Sequence, residues 1–160
     1  MSPDYLEIYL DDHRAASAAL VRLVRRVLNN NRSSQWAPDL RKLTEAVEQD
    51  AATLDRLAEA LGKHGGSLKR IAGLAVEMVA RLKLNGHILT YSPLSRLLEL
   101  EGLMAALQFK VSMWESLDRL VVDPAPLEGL DAAEMQARAE SQQETVRPIL
   151  QWAAAELAGT

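Results

Sequence analysis

Two residues with side chains that can bind a proton or a metal ion interrupt the apolar stripes of two predicted helices. His13 follows Leu10 on the first stripe, and Asp50 follows Val47 on the second. The two helices are joined by a short turn near Ser33, so they run antiparallel. At ~1.5 Å rise per residue, His13 and Asp50 then fall within about one helical turn of the same level. We therefore expect these two side chains to meet in the core.

This juxtaposition has three interpretations. A buried charge without a partner is costly, so such residues pair, reach water or bind a ligand. The first interpretation is a hydrogen-bonded pair that fixes the register of the helices. The second is a metal or small-ligand site inside a helical bundle. The third is that one of the two side chains faces solvent.

Composition limits the class of protein that can hold these residues. The chain has 160 residues, 25% of them charged, with a net charge of -4 and no cysteine. The absence of cysteine excludes disulfides, thiolate zinc sites, iron–sulfur clusters and a thiol nucleophile. A mildly acidic chain lacks the basic face typical of nucleic-acid binders, so we expect no nucleic-acid partner. The length predicts one domain over residues 1–160.

Apolar residues recur every three to four positions almost throughout, which is typical of helices. Gly and Pro divide the chain into five predicted helices, at about 3–29, 38–61, 67–84, 93–122 and 131–157. Ser92 is predicted to cap the fourth helix, and Asp131 the fifth. The predicted core stripe of the fourth helix is Leu94, Leu97, Glu101, Met104, Gln108 and Val111. That of the fifth is Leu130, Ala137, Ser141, Glu144, Pro148 and Trp152.

Three segments resemble the ferritin-like superfamily. They are Tyr5 to His13 at the start of the first helix, Glu45 to Asp50 in the second, and Ser92 to Glu101 in the fourth. The whole chain resembles a group of uncharacterised bacterial ferritin-like proteins, with which it shares the stretches Arg81–Gly86 and Ser92–Arg96. The resemblance implies an all-α, up-down-down-up four-helix bundle, with the third predicted helix as an extra crossover between the second and third bundle helices.

The resemblance also defines what a metal site requires. Ferritin-like di-iron sites take a Glu from each of two helices and a Glu-x-x-His motif from each of the other two. This sequence contains no Glu-x-x-His. We therefore expect a non-catalytic structural or interaction protein without a cofactor. The alternative is an iron- or manganese-binding protein with an altered ligand set, drawn from His13, Asp50, Glu101, Glu140 and Glu144.

The third predicted helix suggests how the protein associates. Its apolar face fits a crossover helix packed on the bundle, a dimer interface or a helix at a membrane surface. We expect a homodimer, with this helix or the first one at the interface. The longest stretch with little charge, Ile71 to Ala80, is too short for a transmembrane segment. The acidic start does not resemble a secretory signal, so we expect a cytoplasmic location.

Overall fold

The computed structural model describes residues 3–61, 91–120 and 130–159. These residues form four helices: α1 (Pro3–Asn30), α2 (Ala37–Leu61), α3 (Pro93–Leu120) and α4 (Ala132–Ala158). The three described ranges contain no β-strand, so the expected all-helical class is confirmed for them. The predicted crossover helix at 67–84 lies outside the described residues. No described helix is both long enough and apolar enough to cross a membrane.

Both predicted helix caps are confirmed. Ser92 Oγ accepts a hydrogen bond from the Ser95 amide at 3.1 Å, at the start of α3. Asp131 Oδ1 accepts from the amides of Ala133 and Glu134, at 2.9 and 3.2 Å, at the start of α4. Each cap satisfies amides that have no partner within the helix, which is why the helices begin at these residues.

Helices α1 and α2 form an antiparallel hairpin. Near the start of α1, Arg14 Nε lies 2.8 Å from Asp55 Oδ1 near the end of α2. Further along α1, Arg25 Nε lies 2.6 Å from Glu48 Oε1, earlier in α2. The two pairs run in opposite order along the two helices, as the short connection between them predicts.

Helix α3 lies against α1 and also runs antiparallel to it. The rings of His13 and Phe109 stack at one level, and Asn30 binds Glu99 at another. Since α2 and α3 both oppose α1, they run in the same direction. They occupy opposite corners of the bundle, where their backbones do not come close to each other.

Helix α4 completes the bundle. It packs antiparallel to α3, with Gln143 donating to Gln108 at 3.1 Å and Arg96 bound to Glu156. It also lies beside α2, and this is the sparsest contact between neighbouring helices. The four helices therefore surround one core, with α1 diagonal to α4.

The core is an apolar column with a polar layer across its middle. One apolar cluster spans residues 20–27, 40–47, 100–107 and 146–153 of the four helices. The other takes Leu10 from α1, Leu54 to Ala58 from α2, 111–117 from α3, and Met135 and Ala139 from α4. The positions between the two clusters include His13, Asp50, Lys110 and Gln142, all of which are buried.

The predicted core stripes of α3 and α4 are wrong in their rotation. Glu101 and Gln108 of the predicted α3 stripe are exposed, as are Ala137, Ser141, Glu144 and Pro148 of the predicted α4 stripe. The face of α3 that is buried carries Leu100, Leu103, Leu107, Lys110, Trp114 and Leu117. The buried face of α4 carries Met135, Ala139, Gln142, Val146, Ile149 and Ala153. Apolar residues lie on several sides of α3, so three-four spacing alone did not select the buried face.

Candidate functional site: the central polar layer

Three buried side chains from three helices form the centre of the polar layer. Lys110 Nζ on α3 donates hydrogen bonds to Asp50 Oδ2 on α2 and, at 2.9 Å, to Gln142 Oε1 on α4. Gln142 Nε2 in turn donates to Asp50 Oδ2 at 2.7 Å. The three groups thus form a closed ring of hydrogen bonds that joins α2, α3 and α4 at one level.

A second cation reaches the same carboxylate from the edge of the bundle. Arg138 Nη2 lies 2.8 Å from Asp50 Oδ1. Oδ1 has no hydrogen-bond partner among the described residues, so the contact with Arg138 is an ion pair. The Arg138 side chain is 41% exposed, whereas that of Asp50 is 1% exposed. One buried carboxylate is therefore shared by two cations.

Burial and pairing act in opposite directions on Lys110. Its removal from water lowers the pKa of the ammonium below its ordinary value, because burial disfavours the charged form. The neighbouring Asp50 carboxylate favours the charged form and opposes that shift, while Arg138 adds to it. A lysine in this environment depends on its carboxylate partner to remain charged.

His13 lies in the layer but takes no part in this ring of hydrogen bonds. Its ring packs between Tyr9 and Phe109, with both centroids 4.4 Å away and the Phe109 ring nearly parallel. Burial lowers the pKa of His13 to about 4, so the imidazole is neutral at pH 7. The expected hydrogen bond to Asp50 is not formed, since Asp50 is bound by residues of the other two helices.

His13 and Asp50 nevertheless line the same small cavity. Its volume is about 20 Å³, enough for one water molecule, and Lys110 and Trp114 also line it. The indole Nε1 of Trp114 is buried and has no hydrogen-bond partner among the described residues. The cavity has a polar wall but is too small for an organic cofactor.

The five candidate metal ligands do not come together. Glu101, Glu140 and Glu144 are all exposed, while His13 and Asp50 are buried. Glu144 pairs with Arg147 at 3.1 Å on the surface of α4. Within residues 3–61, 91–120 and 130–159, no group of three or more His, Asp or Glu could hold a metal ion. The rotation of α3 and α4 separates these glutamates from the core.

A second buried carboxylate, which is not among the predicted site residues, lies near one end of the bundle. Glu99 is 3% exposed, and its Oε1 lies 2.5 Å from Arg26 Nε. Asn30 Nδ2 donates to both of its oxygens, at 3.2 and 3.1 Å. Glu99 adjoins the buried Leu100, and no simple periodicity distinguishes it from the exposed Glu101.

Lys110 and Gln142 were also missed, although a signal for them exists in the sequence. Lys110 stands in a series with three-four spacing, Leu100, Leu103, Leu107, Lys110, Trp114 and Leu117. Gln142 stands in a similar series on α4. Each is the one polar member of an otherwise apolar stripe, which is the same signal that singled out Asp50.

Comparison of the chain with known protein families, with curated proteins and with solved structures finds no significant match.

Proposed function

We propose that this protein is a non-catalytic, ferritin-like helical bundle that acts as a structural or interaction protein. The observation that carries the proposal is the buried pair of Asp50 and Lys110. In this proposal the lysine ammonium supplies, inside the bundle, the positive charge that a metal ion supplies in the di-iron members of the superfamily.

The charges around Asp50 support this assignment. Both carboxylate oxygens already face cations, Lys110 at Oδ2 and Arg138 at Oδ1. A divalent ion coordinated by Asp50 would therefore lie close to two fixed positive charges in a region that water barely reaches. Like charges repel strongly at low dielectric, so the layer favours its own ammonium over a metal.

The chain order supports the ferritin-like part of the proposal. Helices α2 and α3 run in the same direction at opposite corners of the bundle. Leu61 and Tyr91 consequently lie at opposite ends of the bundle, and the chain between them joins the two ends. An up-down-down-up order with one long crossover connection is the arrangement of ferritin-like bundles.

Metal content tests the proposal directly. Protein purified without added metal should contain no stoichiometric iron, manganese or zinc by elemental analysis. A bound ion would raise the stability of the folded state by mass action. Since we expect none to bind, the unfolding temperature should not change when these ions are added. Stoichiometric metal that disappears in Asp50→Asn but persists in Glu99→Gln would contradict the proposal. Glu99 is the matched control, because it is a similarly buried carboxylate that pairs with Arg26 near one end of the bundle.

The alternative function is binding of iron or manganese by an altered ligand set. The observation that favours it is that His13 and Asp50 line one cavity. Under this alternative, added metal raises the unfolding temperature, and His13→Ala and Asp50→Asn each remove that rise. Glu101→Gln, Glu140→Gln and Glu144→Gln distinguish a larger ligand set from these two residues alone.

We further propose a homodimer that associates through α1, in the cytoplasm and without a nucleic-acid partner. Tyr5 and Ile8 support this interface, because their side chains are 68% and 52% exposed although both are large and apolar. Sedimentation equilibrium should show a dimer that Ile8→Asp dissociates. Leu157→Asp, at an exposed apolar residue of α4, is the control and should remain dimeric. A monomeric wild-type protein would contradict the dimer.

A further inference from the structure

A groove of about 300 Å³ lies between α2 and α4. It follows from the sparse contact between these two helices. Ala46 on α2 and Ser141 on α4 line it and are small, which leaves the space between the helices open. The buried Gln142 also lines it, so the groove reaches the central polar layer. This volume lies at the lower end of the range for small-molecule pockets.

One face of α4 presents polar side chains to the groove. Arg138, Ser141 and Thr145 line it at spacings of three and four residues, which places them on one side of the helix. The Thr145 hydroxyl donates a hydrogen bond to the Ser141 carbonyl at 3.1 Å, so it is available to a ligand only as an acceptor. The Ser141 hydroxyl has no partner among the described residues and is free to donate.

The groove carries an excess of positive charge. Lys42 lines it from α2 and forms no ion pair with any described residue. Arg138 shares the single charge of Asp50 with Lys110, so the cations beneath the groove outnumber the carboxylates. Asp39 is the one acidic side chain among its lining residues, against Lys42 and Arg138. The Arg138 guanidinium has five N–H donors, and its ion pair with Asp50 involves Nη2.

We propose that this groove binds a small oxyanion, a carboxylate or a phosphate group, held by Lys42, Arg138 and the Ser141 hydroxyl. A guanidinium, an ammonium and a hydroxyl are the donors that recognise such groups, and guanidinium does so with two parallel hydrogen bonds. This site is separate from the proposed structural role, which is carried by the buried pair of Asp50 and Lys110, although Arg138 contacts both.

The test is isothermal titration with sodium phosphate and, separately, sodium succinate, at constant ionic strength set with chloride. At least one of these anions should bind saturably with one site per chain. A response to phosphate alone assigns a phosphate group, and a response to succinate alone assigns a carboxylate. No saturable binding of either anion would overturn the proposal.

Variants locate the site within the bundle. Lys42→Gln should weaken binding about tenfold, the factor expected for losing one charge-assisted hydrogen bond. Ser141→Ala should weaken it by a smaller factor. Arg138→Lys keeps the charge against Asp50 but loses the planar fork, and should also weaken binding. Arg41→Gln is the matched control, since Arg41 is exposed beside Lys42 but does not line the groove. Equal weakening by Arg41→Gln and Lys42→Gln would show unspecific attraction to the surface and overturn the proposal.

Discussion

Asp50 and Glu99 are equally buried carboxylates in two different electrostatic settings. Their side chains are 1% and 4% exposed. The lysine that faces Asp50 is itself 9% exposed, whereas the arginine that faces Glu99 is 46% exposed. Removing Asp50 would leave a buried cation, while removing Glu99 would leave a cation that water already reaches. The burial of the partner, more than that of the carboxylate, therefore decides what each pair contributes to stability.

The polar groups around Asp50 (the central layer) and around Glu99 (the end cluster) also differ in which helices they hold together. Asp50 accepts hydrogen bonds from α3 and α4 while belonging to α2. Glu99, on α3, is held by Arg26 and Asn30, both on α1. The central layer fixes three helices at one level, and the end cluster fixes two. Loss of the central layer should therefore affect the whole bundle.

Asp50→Ala gives the largest expected effect. It leaves the Lys110 ammonium buried without its countercharge, so we expect a loss of roughly 3–5 kcal/mol in the free energy of unfolding. Urea denaturation followed by circular dichroism measures it. A loss as small as that of an exposed carboxylate would show that water or another group solvates Lys110.

His13 provides a further test, because it is buried in the central layer and has no polar partner among the described residues. Its pKa is lowered to about 4 when folded, against an ordinary 6.5. The unfolded chain therefore binds more protons between these values, and stability falls as pH drops from about 6.5 to about 4. A shift of this size corresponds to roughly 3 kcal/mol. Urea denaturation from pH 4 to 7 should show a steeper loss for wild type than for His13→Leu. Identical pH profiles would contradict the burial of a neutral imidazole.

Glu99→Ala should cost less than Asp50→Ala. Arg26 can turn towards solvent, and the main loss is the hydrogen bonds from Asn30, so we expect about 1–2 kcal/mol. Glu99→Gln should cost less again, because its amide oxygen can still accept from Asn30. Urea denaturation under the same conditions makes the comparison, and equal losses for Glu99→Ala and Asp50→Ala would refute the distinction between the clusters.

Asp131→Ala supplies the smallest effect, at an exposed carboxylate outside both clusters. Its loss removes the cap of α4, and we expect a cost of about 1 kcal/mol or less. Because Asp131 shares no partner with Asp50 or Glu99, its effect should add to theirs within roughly 0.5 kcal/mol. Non-additivity in the double variants, measured by the same urea titrations, would show that α4 shifts as a whole.

The buried face is predictable from the sequence for α1 and α2. Their apolar residues are concentrated on one side, so the three-four spacing identified the buried face, with His13 and Asp50 on it. In α3 the apolar residues are spread around the helix, so two different stripes with three-four spacing can be drawn. The predicted stripe contains Glu101 and Gln108. The stripe that is buried contains Trp114 and one polar residue, Lys110. The stripe with the greater apolar volume is therefore the better predictor of the buried face.

The partner of Asp50 was harder to predict than its burial. Lys110 is 60 residues away in sequence, and Gln142 is 92 residues away. Their contact depends on the rotation of α3 and α4 and on which helices are neighbours. Neither property follows from the spacing within α2. His13 shared a hairpin with Asp50 and so was the nearest candidate, but α1 directs its ring towards Tyr9 and Phe109.

A double-mutant cycle on Asp50 and Lys110 tests most directly whether the lysine neutralises the central carboxylate. The cycle compares wild type, Asp50→Leu, Lys110→Met and the double variant by urea denaturation in metal-free buffer. Each single variant should be strongly destabilised, and the double variant should recover much of the loss, because two apolar residues need no partner. We expect an interaction energy of about 2 kcal/mol or more. Additive losses, with the double variant the least stable of the four, would contradict a central layer built on this pair.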